Sequence, residues 1–170
     1  MKRFLIFILS LVCLSMAAQE KNFFIEEGAI KWQKVFQVDS VNVKDVVHNL
    51  LAEGHFKEIE SGEGMVTCEL RGLSLNYQDL GFKRMSLPIY IPNDKFSGFV
   101  TVQVKNNRYR VTVDRIITAN PRLGQGPLDG LALDKEGAFK PAFLGDPATI
   151  IDYNFDKLFS GLAKPIDDEW

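Results

Sequence analysis

The chain has 170 residues, with 20 Lys and Arg against 22 Asp and Glu and a formal net charge of −2 at pH 7. A mildly acidic chain lacks the basic surface that neutralising phosphates requires, which argues against a nucleic-acid partner. The length suits one apolar core and little more.

The opening stretch, MKRFLIFILSLVCLSMAAQE, sets Lys2 and Arg3 before an apolar run over residues 4–14, followed by the small residues Ser15, Ala17 and Ala18. That is the pattern of a secretory signal peptide over residues 1–18. The run falls short of the roughly 20 apolar residues of a spanning helix. Cys13 follows Val12, whereas a small residue precedes a lipidated cysteine, so lipoprotein processing is disfavoured. The expectation is a periplasmic or secreted protein with no transmembrane span after leader removal. Losing Lys2 and Arg3 takes the 20 basic residues to 18 against 22 acidic, a net charge of about −4. One cysteine, Cys68, then remains, so residues 19–170, which by length suit a single domain, have no internal disulfide.

After a short lead-in over residues 19–29, IKWQKVFQVDS alternates as a strand, with Trp32, Phe36 and Val38 on one side and Gln33 and Gln37 on the other. VNVKDVVHNLLAEG then changes period. Val43, Val46, Val47, Leu50 and Leu51 recur at helical spacing, Asn42 caps the start, Asp45 closes a capping box, and Gly54 ends the helix. FKEIESGEGMVTCELRGLSLN reads as two strands about a turn at residues 61–64, with Val66, Cys68 and Leu70 inward. In residues 76–95, Pro88 and Pro92 exclude a central strand and predict a connection or an irregular edge.

VQVKNNRYRVTVD is the most informative stretch. A turn at Asn106 and Asn107 pairs Val104 with Tyr109, Val102 with Val111 and Val100 with Val113 on the dry side. The same register puts Lys105 opposite Arg108, Gln103 opposite Arg110 and Thr101 opposite Thr112 on the wet side, which accounts for the basic residues without a ligand. Residues 120–146 are too rich in Gly and Pro for regular structure. Their Leu and Phe side chains predict a segment laid over the body of the domain. DPATIIDYNFDKLFSGL closes the chain with a second amphipathic helix over residues 147–160, with Asp146 as cap, Pro147 in the first turn and Gly161 as stop. The tail AKPIDDEW reads as solvated.

KVFQVD entering a VKDVVHNLLAE helix, followed by the VQVKNNRYRVTVD hairpin in a chain with a leader, resembles the exported bacterial family called domain of unknown function 4468. The resemblance spans a core of residues 31–118. It implies an α+β fold like that of the TATA-box-binding protein, a curved antiparallel sheet with two helices packed on one face. The long irregular segment before the last helix and the 76–95 connection depart from it. The family carries no assigned activity, so the likeness implies a fold and no chemistry.

The chemistry-bearing residues are sparse. His48 lies on the polar side of the first helix and His55 just past its end, a spacing that fits no compact metal motif. Cys68, inward between Val66 and Leu70, reads as a small core hydrophobe. GQG at residues 124–126 has no strand-to-helix context and reads as a turn, and there is no Gly-x-Ser-x-Gly elbow. The residues thus favour a non-enzymatic binding or interaction module without metal or cofactor. Its exposed sheet, through Phe99, Gln103, Arg108 and Arg110, or a groove under residues 120–146, would meet an unknown protein or small-molecule ligand. One alternative is a hydrolase or metal-dependent enzyme with a site assembled from His48, His55, Cys68 or Asp114. Another is a structural accessory subunit of an envelope assembly, in which Phe139, Phe143 and Leu144 grip a neighbour.

Overall fold

A computed structural model describes residues 22–164, so the leader at residues 1–18 and the tail from 165 onward lie outside the described residues. Seven antiparallel strands form one sheet: β1 (Phe23–Glu26), β2 (Ala29–Gln37), β3 (Phe56–Gly62), β4 (Met65–Ser74), β5 (Lys95–Lys105), β6 (Arg108–Asn120) and β7 (Gly124–Pro127). The spatial order is β1-β2-β6-β5-β4-β3, and β7 pairs with β6. β7 takes residues 117–120 of β6, beyond the stretch 108–113 that pairs with β2.

The β5–β6 register is the one the valine alternation dictates. Val100, Val102 and Val104 face Val113, Val111 and Tyr109, and Lys105 faces Arg108. Val100, Val102, Tyr109, Val111 and Val113 are buried with Val66, Cys68, Leu70 and Trp32 on the same side. Asn107 takes the left-handed conformation at the turn, with φ 57°.

Two helices cover that buried face. α1 (Val43–Glu53) packs on β3 and β4 through Val46 and Leu50, and the Asn42 side chain accepts the Asp45 N–H at 2.9 Å. Gly54 ends it with φ 70°. Leu51, expected on the apolar stripe, is 63 % exposed, because the stripe that meets the sheet is narrow and centred on Val46 and Leu50. Further along the chain come a 3₁₀ turn (Arg84–Ser86), α2 (Tyr90–Asn93), α3 (Asp129–Ala132), α4 (Pro141–Leu144) and the closing helix α5 (Asp146–Phe159). Phe155 and Phe159 of α5 pack on Trp32, with ring centroids 5.4 and 5.7 Å away. The Tyr109 hydroxyl donates to the Phe159 carbonyl at 2.7 Å, and the Trp32 Nε1–H donates to Asp152 at 2.7 Å. The cap of α5 is Gly145 rather than Asp146, which lies in the first turn, where a carboxylate suits the helix dipole.

Three further expectations need correction. Residues 23–26, taken as lead-in, form β1, joined to β2 by a two-residue loop in which Glu27 (φ 54°) and Gly28 (φ 77°) are both left-handed. GQG is part of edge strand β7 rather than a turn, since backbone pairing to β6 gives it a shape its side chains do not signal. Residues 120–146 do lie over the domain, but with regular pieces in β7, α3 and α4. Phe143 is buried, stacked with Phe139 at 5.7 Å and edge-on to Phe23 at 5.5 Å. Phe139 and Phe143 therefore grip their own domain, against the accessory-subunit reading.

The sheet bends through bulges. Register shifts interrupt β3–β4 between Lys57 and Glu60, β4–β5 between Leu70 and Leu73, and β5–β6 between Ser97 and Phe99. Left-handed residues sit at each: Glu58 (φ 52°), Gly72 (φ 70°) and Arg115 (φ 48°). An extra residue on one strand kinks it and increases its twist. At the third bulge the strands approach so closely that a Cβ on Gly98 would lie 3.1 Å from the Asp114 carbonyl oxygen.

Candidate functional site

The helix-free face of the sheet carries the outward residues of β2, β4, β5 and β6. Near the β5–β6 turn it holds a depression of about 240 Å³ lined by Val35, Gln103, Lys105, Arg108, Tyr109 and Arg110. The register assembles this group. Val35 pairs with Arg110 across β2–β6, and Arg110 pairs with Gln103 across β5–β6. The Arg110 Nε donates to Gln103 Oε1 at 2.8 Å, tying the guanidinium to the neighbouring strand. The Lys105 and Arg108 side chains make no hydrogen bond or ion pair with another described residue. No carboxylate lines the depression, and Val35 supplies an aliphatic surface that is 47 % exposed.

Phe99 does not join this group. It lines a second depression of about 310 Å³ with Glu69, Arg71, Ser97, Arg115 and Ile117. The Arg115 guanidinium lies over the Phe99 ring, 4.3 Å from its centroid, and its Nε donates to Asp114 at 3.2 Å. Arg71 donates to Glu69 and, at 2.7 Å, to Glu58, so the cations here are neutralised by neighbours. The two depressions therefore differ in charge: the first is cationic without counterions, the second is balanced.

Of the four sequence-derived surface residues, the structure brings Gln103, Arg108 and Arg110 together and sets Phe99 apart. Two further residues belong to these surfaces. Val35 was legible, since strict alternation from Trp32 puts it on the side of Gln33. Arg115 was not, because simple alternation sends it inward and only the bulge turns it out.

The residues named for a distributed enzyme site do not converge. Cys68 is buried on the helix-covered side, and burial pushes its thiol up to about 12. Asp114 stands on the opposite face beside Arg115, His48 is exposed on α1, and His55 is half-buried at the start of β3. Among the described residues, no group of three or more His, Cys, Asp or Glu side chains could hold a metal ion. Among the described residues, no helix is long and apolar enough to cross a membrane.

No protein-family model matches the sequence, and no curated protein matches it. Two solved structures are similar in fold. A TBP-like protein from Parabacteroides distasonis ATCC 8503 aligns over 84 % of this chain and 98 % of its own, with TM-score 0.51 and 10 % identity. A DUF4468 family protein from Bacteroides ovatus ATCC 8483 aligns over 88 % of this chain and 94 % of its own, with TM-score 0.52 and 13 % identity. The fold is thus the TATA-box-binding-protein-like α+β fold that the sequence resemblance implies. At these identities the likeness carries the fold and no activity.

Proposed function

We propose that the protein is an exported, non-enzymatic binding module, and that it uses the helix-free sheet face to hold an anionic group of a partner. The observation that carries this reading is the depression at the β5–β6 turn. Lys105, Arg108 and Arg110 converge there with no acid in the lining, beside the exposed aliphatic surface of Val35. A planar guanidinium already oriented by Gln103 suits a carboxylate, sulfate or phosphate oxygen pair, and Val35 suits an adjoining apolar group. Dispersal of Cys68, Asp114 and His48 over different sides of the sheet supports binding over catalysis. The leader-like pattern over residues 1–18 supports export.

The test is a thermal-shift and calorimetric panel of phosphate, citrate, oligoglutamate and uronic-acid oligosaccharides, each beside a neutral analogue. At least one anion should stabilise the protein, less so as NaCl rises from about 50 to 300 mM, and the effect should vanish in Lys105→Gln/Arg108→Gln. If no anion outperforms its neutral analogue, the reading fails.

A further inference from the structure

The opposite end of the β5–β6 pair carries a surface of different character. Met85, Ile89 and Leu123 are 96 %, 62 % and 70 % exposed, and Ile89 and Leu123 flank a depression of about 530 Å³ with Arg84, Asn93 and Arg122. Exposed aliphatic groups gathered from two chain segments mark an interaction surface. They are held out rather than left loose. Along 85–91, Leu87 and Ile91 are buried as anchors, four residues apart, while Met85 before them and Ile89 between them stay exposed. The Asn93 side chain donates to the Ile89 carbonyl at 2.7 Å, and Arg84 donates to Asn93. Asn120 Oδ1 accepts the backbone N–H groups of Arg122 and Leu123 at 2.9 and 3.2 Å, folding the second tip into a tight turn.

The charge around these tips has one sign. No Asp or Glu occurs in residues 80–93 or 115–128, whereas Lys83, Arg84 and Arg122 are exposed there, in a chain whose net charge is −2. The adjoining acid, Asp94, is buried and accepts from the Asn120 side chain at 2.6 Å. We propose that this end is a membrane-docking surface, with Met85, Ile89 and Leu123 entering the acyl boundary of an anionic bilayer while Lys83, Arg84 and Arg122 engage headgroup phosphates. Exposed aliphatic tips with exposed cations next to them in the chain, Arg84 beside Met85 and Arg122 beside Leu123, suit a bilayer interface, where apolar burial and attraction to anionic lipid add. A protein partner would have to supply a matching acidic and apolar socket for each tip, whereas a bilayer adapts to them. The 11-residue β5 would then carry the cationic depression about 30 Å away from the lipid, leaving it open to a soluble partner.

Leu123→Trp in the leaderless chain of residues 19–170, mixed with phosphatidylcholine vesicles with or without phosphatidylglycerol, provides the test. Brominated acyl chains should quench the new tryptophan beyond the wild-type background in anionic vesicles and not in neutral ones. Met85→Ser/Leu123→Ser should lower vesicle affinity at least 10-fold. Arg84→Gln/Arg122→Gln should lower it about 25-fold, taking about fivefold per cation. Every variant lacks residues 1–18, because their apolar run would itself enter either kind of vesicle. Absence of quenching, equal quenching in neutral vesicles, or serine and glutamine variants that bind like the wild type would each overturn the proposal.

Discussion

Val102→Ala set against Thr101→Ala measures the register on which both the core and the helix-free face depend. Val102 is fully buried between Val66 on β4 and Val111 on β6, both buried as well. Thr101, one residue earlier, is half-buried on the other face, opposite Thr67 and Thr112. Truncating Val102 removes two methyl groups, about 1.6 kcal/mol of transfer free energy at roughly 0.8 kcal/mol per carbon, and leaves a cavity that packed strands close only in part. The total is about 2–3 kcal/mol. For a domain of this size that lowers Tm by about 5–10 °C. Truncating Thr101 forfeits a cross-strand threonine contact, worth under about 1 kcal/mol. Urea denaturation read by far-ultraviolet circular dichroism gives both numbers, with an unchanged m value showing that the unfolded reference is the same. If Thr101→Ala costs as much as Val102→Ala, the inward assignment of the valines is wrong, and with it the outward assignment of Arg108 and Arg110.

Tyr109→Phe should cost about 1–2 kcal/mol, because it removes the hydroxyl donor to the Phe159 carbonyl while keeping the ring stacked on Phe36 at 4.9 Å. Faster amide hydrogen exchange at the end of α5, without a change in the sheet, is the accompanying signature, and a neutral substitution would show that the bond does not tether the helix. Cys68 should resist iodoacetamide at pH 8 in the native protein and react on unfolding, as scored by mass spectrometry; native labelling would contradict its burial. Burial pushes both the Cys68 thiol and the Tyr109 hydroxyl up to about 12, above their ordinary 9.0 and 10.0. The folded state therefore holds these protons more tightly than the unfolded chain. Their contribution to stability is complete below about pH 9 and is lost as pH rises through 12, so a melting-temperature profile should fall between those values. A flat profile there would contradict the burial of both groups.

Legibility followed the strength of local periodicity. The hairpin at residues 100–113 could be read because six inward positions alternate around an Asn-Asn turn, so a one-residue slip would send every valine into water. α1 could be read because Asn42, Asp45 and Gly54 mark both of its ends. β1 could not, because four residues with one buried side chain, Phe23, offer no period to detect. β7 could not, since Gly and Pro carry no pattern and its place is set by backbone bonds to a strand already in position. The same limit applies to the surface. Gln103, Arg108 and Arg110 are paired in sequence by the hairpin register and meet in space as expected. Phe99 was grouped with them by alternation alone, but the bulge at Gly98 and Arg115 gives it a different neighbour.

The physical reason for a cationic depression without counterions lies in what the fold does and does not specify. Folding requires only that outward positions of β5 and β6 be tolerable in water, and the sheet supplies its own acids where it needs them. Arg71 is flanked by Glu58 and Glu69, Arg115 by Asp114, and Lys34 reaches Asp156 of α5 at 2.6 Å. Lys105 and Arg108 face one another across the last rung of the hairpin, a like-charge pair that costs stability rather than adding it. A chain with more acidic than basic residues had carboxylates to place there, and it places none. Repulsion retained at the end of this hairpin, next to an exposed Val35, fits the proposed anion site and can be measured. Replacing Lys105 by Glu should raise the melting temperature of the free protein while weakening its response to the anion that binds there.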